Sequence, residues 1–134
     1  MVADTSPADG VTPSLRVFVV EDHAETARGL AMYLRSIGHE VHVAPDVRSA
    51  RQLSTEIDYD ILLCDIGLPD GNGWDLLEEL TARRPIKAIA MSGYNTDSDR
   101  ARSKAAGFAE HLPKPLTPDE LDEAFTRVMA DGPA

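Results

Sequence analysis

Four polar groupings in this 134-residue chain each stand at the end of a short apolar run. Residues 15–20 (LRVFVV) lead into Glu21-Asp22, 60–64 (DILLC) into Asp65, and 86–91 (IKAIAM) into Ser92. Residues 108–112 (FAEHL) lead, after a short connection, into Lys114-Pro115. Three carboxylates drawn together repel one another and raise a pKa unless a cation sits among them. A donor set made only of oxygen selects a hard ion, and Mg2+ with retained waters is the natural candidate. Lys114 adds a fixed positive charge and Ser92 a hydroxyl donor. Such a set would neutralise a tetrahedral oxyanion attached to one of the carboxylates. Seen singly, each piece is ordinary: an acidic pair after a strand is usually a solvated loop, and Asp65 before a Pro/Gly-rich loop is a turn former. Jointly they carry weight because all four occupy the same end of successive apolar runs.

The elements that must position them follow from periodicity. Residues 15–20, 60–64, 86–91 and 108–112 read as short strands, and 39–43 (HEVHV) alternates like a strand nearer a sheet edge. Between 24 and 37, apolar residues at Ala27, Leu30, Ala31, Leu34 and Ile37 mark one helical face, with Gly38 at the stop. Asp46 caps a helix carrying Val47, Ala50 and Leu53. Trp74, Leu77 and Leu80 mark a helix ending before Pro85. The polar stretch 95–106 reads as a helix with a thin apolar face at Ala101 and Ala105. Thr117-Pro118-Asp119-Glu120 combines a capping box with proline at the first helical position, ahead of Leu121, Ala124, Phe125 and Val128. Five strands alternating with five helices demand βαβ crossovers and a parallel sheet covered on both faces: an α/β doubly wound fold. Parallel strands put their carboxyl ends on one edge, so Glu21, Asp22, Asp65, Ser92 and Lys114 converge on the crevice where open α/β sheets bind ligands.

Composition narrows the function. The formal net charge is −10, from 13 Lys+Arg against 23 Asp+Glu, which argues against a nucleic-acid surface and against docking on an anionic leaflet. The single cysteine, Cys64, offers neither an intramolecular disulfide nor a zinc set. No apolar run is long enough to span a bilayer, and residues 1–14 lack the pattern of a secretory signal. The expectation is a cytoplasmic protein with a flexible leader at 1–14, one domain at 15–130 and a tail at 131–134.

Four stretches, VVED (19–22), CDIGLPDGNG (64–73), MSG (91–93) and HLPKPL (111–116), resemble in order and phase the receiver domain of the two-component response-regulator family. The resemblance runs from about residue 15 to 128. It implies a (βα)5 sheet of flavodoxin-like order 2-1-3-4-5. It also implies that Asp65 accepts a phosphoryl group from a phosphohistidine on a histidine kinase or histidine phosphotransfer protein. Mg2+ would be held by Asp22 directly, by Glu21 through water or a side chain, by Asp65, and by the backbone carbonyl of Gly67. Ser92 would hydrogen-bond a phosphoryl oxygen, Lys114 would pair with another, and Pro115 would follow Lys114 through a cis bond. The output would be a switched surface for a downstream protein partner, with room for a dimer linked to phosphorylation. Because the chain ends at Ala134, a DNA-binding output is not expected within it.

Two features depart from the family pattern. His111 stands where a Tyr or Phe usually turns inward as a switch, so coupling to Ser92 is expected to be weaker or pH-sensitive. Gly67 and Tyr94 occupy positions two residues after Asp65 and Ser92 that face an attacking water, with opposing effects on phosphate lifetime. A second reading, a small Mg2+-dependent phosphohydrolase with Asp65 as nucleophile, stands against the first. Gly67 lies where such enzymes carry a second acid. His23, His42, Cys64 and Trp74 read as loop, strand and packing residues.

Overall fold

The computed structural model describes residues 14–130. In chain order the elements are β1 (Arg16–Val20), α1 (Ala24–Ser36), β2 (Glu40–Ala44), α2 (Val47–Leu53), β3 (Ile61–Asp65), β4 (Gly67–Leu68), β5 (Gly71–Asn72), α3 (Gly73–Thr81), β6 (Ala88–Ser92), α4 (Asp97–Ala106), β7 (Glu110–Pro113) and α5 (Pro118–Ala130). Five strands form one parallel sheet of order β2-β1-β3-β6-β7, which is the order 2-1-3-4-5 once the two-residue strands β4 and β5 are set aside. Those two short strands, in a stretch the sequence presents only as a loop, pair antiparallel around Pro69-Asp70. The expected leader, save Ser14, and the tail lie outside the described residues.

Period-two alternation divides the core between the two faces of the sheet. Val17, Val19, Ile61, Leu63, Ile89 and Met91 pack with Ala31 and Leu34 of α1 and Leu121, Ala124, Phe125 and Val128 of α5. Phe18, Val20, Leu62, Cys64, Ala88 and Ala90 pack on the other face with residues of α2, α3 and α4. Two expected faces need correction. Ile37 lies past the end of α1 and is exposed, and on α4 the buried residues are Ser103 and Ala106, whereas Ala101 and Ala105 face solvent. Alanine removes too little apolar area from water to orient a helix, and a hydrogen-bonded Ser103 sets the rotation of α4 instead.

Helix ends are closed by side chains. Thr117 and Glu120 form the expected reciprocal box on α5, and Thr96 with Asp99 forms another on α4. At α2 the Asp46 side chain accepts from the Ser49 N–H, while Asp70 reaches across from the β4–β5 turn to accept from the Val47 and Arg48 N–H groups. The loop that follows Asp65 is thereby fastened to α2.

Gly73 opens α3 directly against the backbone of β3. A Cβ there would lie 2.6 Å from the Asp65 carbonyl oxygen and 3.1 Å from Cys64 Sγ. No rotamer change relieves a clash with backbone, so Gly73→Ala is expected to lower the unfolding free energy by about 2 kcal/mol. Urea midpoints for the variant and wild type check this.

His39, just ahead of β2, is buried, and its Nδ1 accepts the Leu15 N–H at 3.0 Å. Burial lowers its pKa, against a smaller opposing pull from Asp122. The native state therefore binds this proton less readily than the unfolded chain. Its stability contribution is full above the ordinary histidine pKa and is lost as pH falls through the lowered native value. Urea midpoints measured above and below that range are expected to fall with acid in wild type and to fall less in His39→Gln.

Candidate functional site

The parity that sorts the core also sorts the site. Glu21, Asp65 and Lys114 lie two residues beyond Val19, Leu63 and Leu112, all of which pack on the α1/α5 face. Their side chains meet at the carboxyl edge of the sheet. Lys114 Nζ lies 2.7 Å from Glu21 Oε1 and 2.9 Å from Asp65 Oδ2. The Glu21 and Asp65 side chains are 0% and 7% exposed, and that of Lys114 is 22% exposed. Asp65 Oδ1 accepts the Gly67 N–H at 3.2 Å, so both carboxylate oxygens are held. Glu21 Oε2 accepts the His23 N–H at 3.0 Å. The Lys114–Pro115 peptide bond is cis.

One ammonium faces three carboxylates here, Glu21, Asp22 and Asp65, which leaves two negative charges in excess. Asp22 Oδ1 is buried without a hydrogen-bond partner, 3.5 Å from His23 Nδ1, and Glu21 Oε1 meets only the Lys114 ammonium. Candidate ligand atoms of Glu21, Asp22, His23 and Asp65 all lie within 4.8 Å of one another. An orphaned buried oxygen in an acidic cluster, with a charge deficit of two, fits a hard divalent cation. His23 belongs to the group, and its Nδ1 lies 3.2 Å from Glu21 Oε2, although its ring is largely exposed.

Burial pushes the Asp65 carboxyl up most; the Lys114 hydrogen bond opposes it, the charge of Glu21 adds to the rise, the Gly67 N–H opposes it weakly, and the net pKa is raised. Burial also pushes Glu21 upward, but Lys114 and His23 outweigh it and its pKa is lowered. Burial pulls Lys114 down, and Glu21 with Asp65 more than restores it, so the ammonium is held charged. The lysine is shared between the two carboxylates, within hydrogen-bond reach of both.

Ser92 and His111 belong to the opposite face, toward α4. Ser92 is buried, its Oγ accepts the Tyr94 N–H at 2.9 Å, and its carbonyl accepts the Lys114 N–H at 2.9 Å. His111 is half-buried and bonded at both ring nitrogens: Nδ1 lies 2.8 Å from Ser103 Oγ and Nε2 2.8 Å from Asn95 Oδ1. Ser103 Oγ also accepts the Trp74 indole N–H at 2.8 Å. Tyr94 is 78% exposed. Cys64 points into the core beside Asp65, where burial pushes its thiol up. The sequence gives no warning of Asn95 or Ser103. Their nearest signal is the poverty of the α4 apolar face, which leaves room for a buried polar contact. Glu21 and Lys114 are expected at one sheet edge, but their direct ion pair goes unread, because nothing in local spacing sets the distance between them.

Comparison with known proteins supplies the frame for this geometry. A family described as the response regulator receiver domain matches residues 17–126. The transcriptional regulatory protein HprR of Escherichia coli is 26% identical over 107 residues, covering 80% of this chain and 48% of its own length. The cell cycle transcriptional regulator CtrA of Caulobacter vibrioides is 30% identical over 108 residues, covering 80% of this chain and 47% of its own. The chain thus spans about half the length of these curated relatives. Among solved structures, a CheY-like response regulator receiver domain protein from Methanospirillum hungatei superposes with a TM-score of 0.82 at 27% identity, over 88% of this chain and 95% of the other.

Proposed function

The chain belongs to the response-regulator receiver family, the phospho-accepting switches of two-component systems, and from that premise we propose that Asp65 is the residue phosphorylated. The observation that carries this reading is Lys114 Nζ, seated between Asp65 Oδ2 and Glu21 Oε1 at the rim that also holds the orphaned Asp22 oxygen. In the transfer, an Asp65 carboxylate oxygen bonds to phosphorus as the P–N bond to a donor imidazole breaks, the electron pair returning to the imidazole ring. The product is an acyl phosphate, labile enough to serve as a timed signal. Such transfer needs alignment and charge neutralisation more than covalent machinery.

Asp22, Glu21 and Asp65 would hold Mg2+, with the Gly67 carbonyl completing the protein's share. Bound there, the ion would neutralise charge on the transferring group. Lys114 neutralises a second part of it and orients the acceptor. The Ser92 hydroxyl proton gains an acceptor in a phosphoryl oxygen, drawing the end of β6 toward Asp65. Phosphorylation adds about −1.5 to −2 charges at this rim. A two-state surface need be biased by only about 1.4 kcal/mol for its populations to change tenfold.

The donor is a histidine kinase or histidine phosphotransfer protein. An apolar groove of about 460 Å³ opens beside Lys114, between α1 and the start of α5, lined by Leu30, Tyr33, Pro115, Leu116 and Leu121. It offers such a donor a docking surface continuous with the acceptor. The signal then passes to a downstream protein, with a phosphorylation-linked dimer as one form of output. Among the described residues no helix is long and apolar enough to cross a membrane. The reading places the switch in the cytoplasm and gives it no turnover of free substrates.

Incubation with acetyl phosphate, with and without Mg2+, tests the assignment by intact-protein mass. One phosphoryl group per chain, dependent on Mg2+ and lost in Asp65→Ala, is the expected result. Sustained turnover of an unrelated phosphoester would overturn it in favour of the phosphohydrolase.

A further inference from the structure

We propose that the phosphorylated state is read at the α3–α4 surface, through a directed hydrogen-bond chain from Ser92 by way of Asn95, His111 and Ser103 to Trp74. The proposal rests on Asp65 being the acceptor and concerns where its signal goes.

The direction of every link is fixed by the two ends. The Trp74 indole N–H can only donate, and Ser103 Oγ receives it at 2.8 Å. At the other end the Ser92 carbonyl can only accept, and Asn95 Nδ2 donates to it at 3.1 Å. Asn95 therefore turns Oδ1 to His111, whose Nε2 lies 2.8 Å away and also faces the Tyr94 carbonyl at 3.3 Å. Nε2 thus carries the proton, Nδ1 is the acceptor, and the Ser103 hydroxyl donates to it at 2.8 Å. Burial lowers the His111 pKa and favours this neutral ring. A second proton on Nδ1 would force the Ser103 hydroxyl to seek another acceptor, and Ser103 is only 1% exposed.

Four links thus join the end of β6, the loop before α4, β7, α4 and the first turn of α3. A buried donor or acceptor left unpaired costs about 1–3 kcal/mol, so neighbouring links move together more readily than they part. Ser92 shifting toward Asp65 pulls Asn95, and the imidazole, pinned at both nitrogens, transmits that pull as a strut. A hydrophobic ring in the same place would have to rotate. At the far end the Arg102 guanidinium stacks 4.1 Å from the Trp74 ring centroid, and both side chains reach solvent. A change in the Trp74–Ser103 bond therefore alters a surface that another protein can touch.

Trp74 is the chain's one tryptophan, so its fluorescence and its indole N–H resonance report this site alone. Wild-type protein and an Asn95→Ala variant would be loaded with beryllofluoride and Mg2+, loading being read by fluorine NMR. Wild type is expected to load and to shift both Trp74 signals. Asn95→Ala is expected to load, to keep the resting Trp74 signals because Ser103 and His111 still hold the indole, and to lose the shift. Ser103→Ala is expected to change the resting indole resonance and also lose the shift. Trp74 follows Gly73, which abuts Asp65, so a wild-type shift alone would not identify the route. A full shift in loaded Asn95→Ala, or a loaded wild type with unmoved Trp74, would overturn the proposal while leaving the acceptor intact. A wild type that fails to load would overturn the acceptor assignment and the route with it.

Discussion

Asp65→Asn is expected to abolish phosphoryl uptake and, without metal, to raise the free energy of unfolding by about 1 kcal/mol. The first effect is chemical: an amide oxygen has no charge to drive attack on phosphorus. The second follows from the site's electrostatics. Burial and the neighbouring Glu21 charge raise the Asp65 pKa despite Lys114. A carboxyl whose native pKa exceeds its unfolded value binds its proton more tightly when folded. The stability it contributes is present below the unfolded pKa and lost as pH rises through the native one, so at neutral pH the ionised group is a liability. Asparagine keeps an oxygen for the Gly67 N–H, removes the charge and leaves Lys114 to Glu21 alone. Urea midpoints with and without Mg2+ measure the balance. Wild type is expected to overtake the variant when Mg2+ is added, since only wild type keeps the full carboxylate set. A metal-free variant less stable than wild type would mean that the Asp65–Lys114 pair is a net stabiliser.

That liability was legible in the sequence before any coordinates, because acidic residues after β1 and β3 must share one sheet edge. Position at the strand ends carried the reading. The alternation of residues 61–64 between the two packed faces, which also places Asp65 with Glu21 and Lys114, emerges only in the folded chain, because an unbroken apolar run shows no period. Long-range polar pairing was not legible. Asp70 caps α2 across 22 to 23 residues and Lys114 reaches Glu21 across the sheet, and both depend on strand order and twist rather than local spacing. The rotation of α4 was misread because Ala101 and Ala105 carry almost no burial energy against the single Trp74–Ser103–His111 network. His111 was readable as a departure, and its meaning required knowing that Ser103 and Asn95 flank it.

Lys114→Met is expected to lower the metal-free unfolding free energy at neutral pH by about 3 kcal/mol, the low end for breaking a buried pair because the ammonium is partly exposed. Methionine keeps the apolar stem, so the loss is mainly of charge. Glu21 would be left with the His23 backbone N–H at 3.0 Å and ring Nδ1 at 3.2 Å, and Asp65 with the Gly67 N–H at 3.2 Å. Burial raises both carboxyl groups, and with the ammonium gone less opposes that rise. The deficit is therefore expected to shrink as pH falls, as each takes up a proton, and to shrink again with Mg2+. In the Asp65→Asn background the same substitution strands one carboxylate instead of two. It is expected to cost less there, giving a coupling energy of about 1 kcal/mol in the double-mutant cycle. Urea titrations of the four proteins at neutral and mildly acid pH supply every term. A small loss that ignores pH, Mg2+ and Asp65 would show that the ammonium does not bind the two acids together, and Asp65 would then lack the cation that fits it to receive phosphorus.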